Sequence, residues 1–123
     1  MRRRAAPVNP RALTLGGATT LATNNSSAAG AVLNVGAVTG ATSALTLNGG
    51  TGGAVTVASA SNVGALTLNN TGAYVFTGNV SAASLVTTGA GAISFNGGTT
   101  TITADTTFAN TGALNLGDGG DTL

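Results

Sequence analysis

The residues that could take part in acid–base chemistry lie near the two ends of this 123-residue chain. The ionised side chains are arginines at the start and aspartates at the end: Arg2, Arg3, Arg4, Arg11, Asp105, Asp118 and Asp121. Between Ala12 and Ala104 there is no Lys, Arg, Asp, Glu or His, and only Tyr74 carries a side chain that can titrate. General acid–base catalysis requires a group that titrates near the working pH, usually histidine or a carboxylate. The sequence therefore predicts a protein without catalytic activity.

The side chains that usually hold metals or act as nucleophiles are equally scarce. The chain contains no Cys and no His, whereas zinc, calcium and transition-metal sites draw on Cys, His and carboxylate ligands. Ser and Thr are abundant, but a hydroxyl nucleophile needs a neighbouring base to activate it. We therefore expect no catalytic, metal-binding or cofactor-binding residue, and no cofactor.

Two glycine-rich stretches match ligand-binding motifs only in part. Residues 49–53, GGTGG, lack the Lys and the following Ser or Thr of a phosphate-binding loop, so we interpret them as a turn. Residues 117–123, GDGGDTL, partly match the calcium-binding nonapeptide of some β-solenoids. Leu116 stands where that motif begins with Gly, and the chain holds no second copy. The sequence therefore favours a solvated turn at residues 117–123.

Short segments of alternating apolar and polar residues must form the framework of this protein. One phrase recurs as ALTLNG, ALTLNN and AISFNG, beginning at Ala44, Ala65 and Ala92, with a weaker copy from Ala113. Alternation with period 2 between Gly-rich and Asn-rich turns predicts half-buried strands, and the short intervals exclude helices. The predicted strands are 13–15, 19–22, 32–35, 45–47, 55–57, 66–68, 74–76, 85–87, 93–95, 101–103 and 114–116.

A longer repeat of about 20 residues relates these segments to one another. Val57, Phe76 and Phe95 follow at intervals of 19 residues. The repeating units are 45–65, 66–84, 85–103 and 104–123, and the first two contain two predicted strands each. A period near 20 is typical of a solenoid, in which equivalent residues of successive coils stack about 4.8 Å apart.

Stacking of the coils predicts continuous ladders of side chains inside the protein. The two predicted inward ladders are Val57–Phe76–Phe95 and Leu45–Leu66–Leu85. The repeat is clearest over residues 44–103, whereas 19–22 and 106–110 fit it poorly. The Asn after each strand has two interpretations, since Asn48 and Asn69 either stack as an amide ladder or adopt the left-handed conformation of a turn.

The sequence divides into a short tail and one solenoid. Residues 1–11, MRRRAAPVNPR, are predicted to form a disordered basic tail. They do not match a signal peptide, because Pro7 and Pro10 interrupt the apolar run that a signal peptide requires. Residues 12–123 are predicted to form an all-β parallel solenoid, with an antiparallel β-sandwich as the alternative. The single arginine cluster gives no basis for nucleic-acid binding, and no run approaches 18 apolar residues, so we expect no membrane insertion of this segment.

A family resemblance rests on three features of the sequence. These are the phrases ALTLNG, ALTLNN and AISFNG, the richness in Gly, Ala, Thr and Asn, and the period near 20. Residues 12–123 resemble the β-strand repeats of filamentous-haemagglutinin-like and autotransporter-type adhesins, which are large secreted proteins of Gram-negative bacteria. The resemblance implies a right-handed parallel β-helix that serves as a stalk of a secreted or surface adhesin, extracellular or associated with the outer membrane. The implied partner is a host or neighbouring cell surface, and no functional residue can be carried over.

The ends of such a solenoid raise a further expectation. Nothing in the sequence resembles a polar cap, so unpaired strand edges would remain exposed at both ends. We therefore expect either end-to-end self-association or a place within a longer chain.

The alternative functional hypothesis is a binding module that presents a flat face rich in Thr and Asn, of the ice- or glycan-binding type. The residues that suggest it are Thr46, Thr56, Thr67, Thr99, Thr101 and Thr103. An ice-binding array would repeat T-x-T on every coil. Here the middle positions change to Asn34, Val86, Ser94 and Asn115. Thermal hysteresis no greater than that of a control protein would exclude this hypothesis.

Overall fold

A computed structural model describes residues 11–24, 28–69 and 71–117. Over these residues the chain forms ten strands and no helix. The strands are β1 (Ala12–Thr14), β2 (Thr19–Ala22), β3 (Leu33–Thr39), β4 (Leu45–Asn48), β5 (Val55–Asn69), β6 (Tyr74–Phe76), β7 (Val80–Thr88), β8 (Ile93–Phe95), β9 (Thr100–Ile102) and β10 (Leu114–Leu116). Each segment predicted from the alternation overlaps one of these strands. The prediction of an all-β chain is therefore confirmed.

Every strand pair is parallel, and the pairs form three ladders that follow one another around each coil. The first ladder contains β3, β5, β6, β8 and β10, the second contains β1, β3, β5, β7 and β9, and the third contains β2, β4, β5 and β7. Long strands such as β5 continue around corners and join more than one ladder. The protein is a parallel β-solenoid of about five turns, and the alternative of an antiparallel sandwich is wrong.

Paired residues lie about 20 positions apart along most of the chain, as the sequence predicted. Val55 pairs with Tyr74 and Tyr74 with Ile93, each at an interval of 19. The first coil is longer, since Thr19 of β2 pairs with Leu45 of β4 at an interval of 26. The extra residues explain why segment 19–22 fits the repeat poorly although it belongs to the third ladder.

The two inward ladders predicted from the sequence are both present. Val57, Phe76 and Phe95 stack in register, and each is almost completely buried. The Phe76 and Phe95 rings lie 5.0 Å apart at an angle of 10°. The other inward column, Leu45–Leu66–Leu85, lies on the third ladder of strands and is also paired and buried. These side chains form the central part of a core that runs through the coils.

In the middle coils, the second ladder of strands is the part that the sequence did not reveal, whereas the predicted segments 13–15 and 101–103 overlap β1 and β9 at its two ends. Its inward column contains Val38, Ala60 and Val80, which are paired in register and buried. Ala and Ser dominate the surrounding segments, so the contrast between apolar and polar residues is weak. Each complete coil therefore has three strand segments, where the sequence predicted two for the units 45–65 and 66–84.

A column of glycines forms the corner between the third and the first ladder. Gly53, Gly72 and Gly91 each lie two positions before the strands that begin at Val55, Tyr74 and Ile93, and Gly112 stands in the same place before β10. A Cβ atom at Gly72 would overlap the carbonyl oxygen of Gly53, and one at Gly91 would overlap that of Thr71. Successive coils approach so closely here that only glycine fits.

Candidate functional site

The described residues include three with titratable side chains, and these lie in different coils. Arg11 precedes β1 in the first coil, Tyr74 begins β6 in the middle, and Asp105 follows β9 near the other end. Within the ranges 11–24, 28–69 and 71–117, no three His, Cys, Asp or Glu side chains come together as a possible metal site. The absence of catalysis stays a prediction.

Tyr74 lies inside the solenoid, where it has a structural role. Its side chain is 1% exposed. Its hydroxyl can donate a hydrogen bond to either of two backbone carbonyl oxygens, that of Leu47, which lies 3.1 Å away, or that of Asn69. Burial raises the pKa of Tyr74, because desolvation disfavours the phenolate, and backbone hydrogen bonds with Gly49 and Asn69 offset part of this effect. The hydrogen bond of the phenol thus connects the core to the backbone at the corner where the third ladder ends.

The raised pKa of Tyr74 predicts loss of stability at alkaline pH. The unfolded chain releases the phenolic proton near pH 10, whereas the folded chain retains it, so stability is complete below about pH 10 and falls as the pH rises further. The chain has no Lys and no Cys, which leaves Tyr74 as the only side chain that titrates in this range. We expect the urea midpoint of the wild type to fall between pH 9 and about pH 11.5.

The matched variant is Tyr74→Phe, which keeps the ring and removes the titrating group. At neutral pH it should cost about 0.5–1.5 kcal/mol, because one buried hydrogen bond is lost. Its urea midpoint should then stay constant from pH 9 to about pH 11.5. An equal fall of the urea midpoint at alkaline pH in the wild type and the variant would show that Tyr74 does not cause the alkaline loss of stability.

The predicted outward threonines lie on more than one face. Thr20, Thr46 and Thr67 stack in register on the third ladder, and the column continues to Val86, which is 47% exposed. Thr56 lies on the first ladder instead. Its column is Asn34, Thr56, Val75, Ser94 and Asn115. The threonine column therefore spans three coils of one face and does not extend along the whole solenoid.

Asn48 and Asn69 stack in register, and neither adopts the left-handed conformation. Asn48 pairs with Asn69 on the third ladder, and the Asn48 side-chain oxygen accepts the N–H of Gly50 at 3.0 Å. Gly50 has the positive φ, 76°, that the turn requires. The left-handed interpretation of Asn48 and Asn69 is thus wrong. On the first ladder, Asn115 does bridge two coils, since its amide donates to the Ser94 hydroxyl at 3.1 Å.

The C-terminal end of the described solenoid carries an apolar recess. It has a volume of about 200 Å³ and is lined mainly by aliphatic and aromatic side chains: Leu85, Phe95, Thr100, Ile102, Ala104, Thr106, Phe108 and Leu116. Leu116 is 44% exposed there. The segment 104–111 follows the tube without forming a strand, and its Ala109 N–H donates to the buried Thr87 hydroxyl at 2.6 Å. The recess therefore leaves apolar side chains open at this end of the core.

Two features discussed from the sequence lie outside the described residues. Residues 1–10 of the predicted basic tail are not among them, and neither are residues 118–123 of the glycine- and aspartate-rich turn. Arg11, the last residue of the predicted tail, is exposed immediately before β1. The interpretation of both segments therefore stays a prediction.

Comparisons with known proteins identify no relative of this chain. No protein-family model matches the chain, and no similar protein is found among curated proteins or solved structures. Within the described part of the chain, no helix is long and apolar enough to cross a membrane. The fold therefore rests on the geometry of the chain itself, and its function is a matter for proposal.

Proposed function

We propose that this chain is a structural, non-catalytic stalk segment of a bacterial secreted or surface adhesin. The observation that carries the proposal is the set of three parallel ladders, which surround one core through about five turns. At a strand spacing of about 4.8 Å, these turns make a tube about 24 Å long. Such a tube serves as a spacer, because it holds its two ends at a fixed distance.

The coils are joined by side chains as well as by the backbone, which suits a stiff spacer. The Asn79 side-chain oxygen accepts the N–H of Thr99 at 3.1 Å, and the Thr103 hydroxyl donates to the carbonyl of Ala83 at 3.1 Å. Each of these bonds links residues 20 positions apart and therefore spans adjacent coils. A repeat array gains its stability from such contacts between neighbours.

The alternative of a flat binding face has less support in the geometry. The hydroxyl column Thr20–Thr46–Thr67 does lie beside the column Asn48–Asn69, so a polar strip exists on the third ladder. The strip is interrupted by Val86 in the next coil. A face that binds a periodic ligand needs the same groups on every coil, and a spacer does not. The stalk is therefore the preferred proposal.

Surface labelling of the bacterium that produces this chain tests the proposal. An antibody raised against the folded chain should label intact cells as strongly as permeabilised cells, and protease added outside should remove the signal. A cytoplasmic protein of the same strain, labelled only after permeabilisation, is the control for cell integrity. Labelling of the chain only after permeabilisation would refute a role in a surface adhesin.

A further inference from the structure

The strands at both ends of the solenoid have a partner on one side only within the described residues. At the first coil, β1 pairs with β3 alone and β2 with β4 alone. At the last coil, β9 pairs with β7 alone and β10 with β8 alone. Unpaired strand edges are templates for the addition of another strand. The two ends of the described solenoid are therefore surfaces to which a further strand can be added.

The backbone groups on these edges point along the axis of the tube. The N–H of Leu15 donates to Thr39 within the molecule at 2.9 Å, and alternate residues of a parallel strand face opposite neighbours, so the N–H of Thr14 faces outward. At the other end, the N–H of Gly117 donates to Phe95 at 2.7 Å, which leaves that of Leu116 facing outward. Both edges can thus continue a parallel ladder.

The order of the ladders makes the two ends complementary. The described chain enters the spiral on the second ladder with β1 and leaves it on the first ladder with β10. The next position after β10 in the spiral is on the second ladder, above β9. A copy of β1 has the direction and the ladder that this position requires. The described chain therefore leaves the spiral one ladder before the ladder on which it enters, so that β1 of a second copy would follow β10 in the order of the spiral.

Apolar surface and charge favour the same arrangement. The recess beside Phe95, Phe108 and Leu116 is apolar, and Leu13 and Leu21 lie half-buried at the opposite end. Of the described residues, the basic Arg11 is exposed before β1 at one end, and the acidic Asp105 is exposed after β9 near the other. Opposite charges attract head-to-tail neighbours, whereas contact between two like ends brings like charges together.

We propose that the C-terminal end of the solenoid is a docking surface for the N-terminal end of a second copy of this chain. In this assembly β1 of the added copy continues the second ladder above β9, and its Leu33–Val35 segment continues the first ladder above β10. The contact joins different surfaces of the two copies, so it does not close and generates a filament. The inference describes how the proposed stalk is extended, and it does not require the chain to be exported.

The test uses two variants that each block one end. Leu116→Lys places a charge in the apolar recess, and Thr14→Pro combined with Thr20→Pro removes outward N–H groups from β1 and β2, as proline does on natural edge strands. Val86→Lys is the matched control, because Val86 is 47% exposed against 44% for Leu116 and lies on the flank of the tube. Mass is measured by light scattering over a wide range of micromolar concentrations.

We expect the wild type and Val86→Lys to grow in mass with concentration, and each end-blocked variant alone to be monomeric. An equimolar mixture of the two blocked variants should form a dimer and nothing larger, because one open N-terminal end meets one open C-terminal end. An unfolded variant cannot produce this dimer. A monomeric wild type, equal loss of association in Val86→Lys and Leu116→Lys, dimers of either blocked variant alone, or no dimer in the mixture would each overturn the proposal.

Discussion

Replacement of Phe76 by alanine should remove about 3–5 kcal/mol from the free energy of unfolding, because it opens a cavity in a filled core. Phe76 is 1% exposed and stacks on Phe95 with the ring centres 5.0 Å apart. The lost ring contact contributes about 0.5–1.5 kcal/mol beyond the buried area. Natural domains are stable by only about 5–15 kcal/mol. The substitution should therefore bring the chain close to unfolding at room temperature.

Urea denaturation followed by circular dichroism at neutral pH measures this effect. Val86→Ala is the control, since Val86 also lies on a ladder but is 47% exposed, and it should shift the free energy of unfolding by less than about 0.5 kcal/mol. Equal shifts for the two variants would show that the side chain of residue 76 does not lie in the core.

The second large effect is expected at the glycine corner. Gly53→Ala should destabilise the fold by about 1–3 kcal/mol or more, because the added methyl group must displace packed atoms. A Cβ atom at this position would overlap the carbonyl oxygens of Gly49 and Ala31, and both are backbone atoms that no side-chain rotation can move away. The coil below would have to shift as a unit.

The adjacent Gly52 provides a matched control for this substitution. A Cβ atom at Gly52 would meet only the carbonyl oxygen of Ala29, at 3.6 Å, and its φ is not in the left-handed region. Gly52→Ala should be neutral or stabilise the fold by about 0.4–1 kcal/mol, because alanine restricts the unfolded chain. Thermal unfolding of the two variants, measured side by side, should give a lower melting temperature for Gly53→Ala than for Gly52→Ala. Similar melting temperatures would contradict the close packing of the coils at Gly53.

The solenoid could be predicted because the inward columns consist of large apolar side chains at nearly constant intervals. Val57, Phe76 and Phe95 differ clearly from their polar neighbours, so the period is visible in the sequence. The second ladder was missed in the middle coils because Ala60 and Ala82 differ little from the Ser and Ala around them. The glycines at 53, 72, 91 and 112 carried the same intervals and are the signal that could have located the corners.

The sequence by itself determined the strand type, the approximate coil length and which apolar residues face inward. The reason is that alternation and repeat depend on side-chain chemistry, which the sequence states directly. Only the tertiary structure decided that each coil has three sides, that Tyr74 reaches the carbonyl of Leu47, 27 positions away, and that β10 stops one ladder before the ladder on which β1 begins. These features depend on how far the backbone turns at each corner, which small residues permit but do not specify.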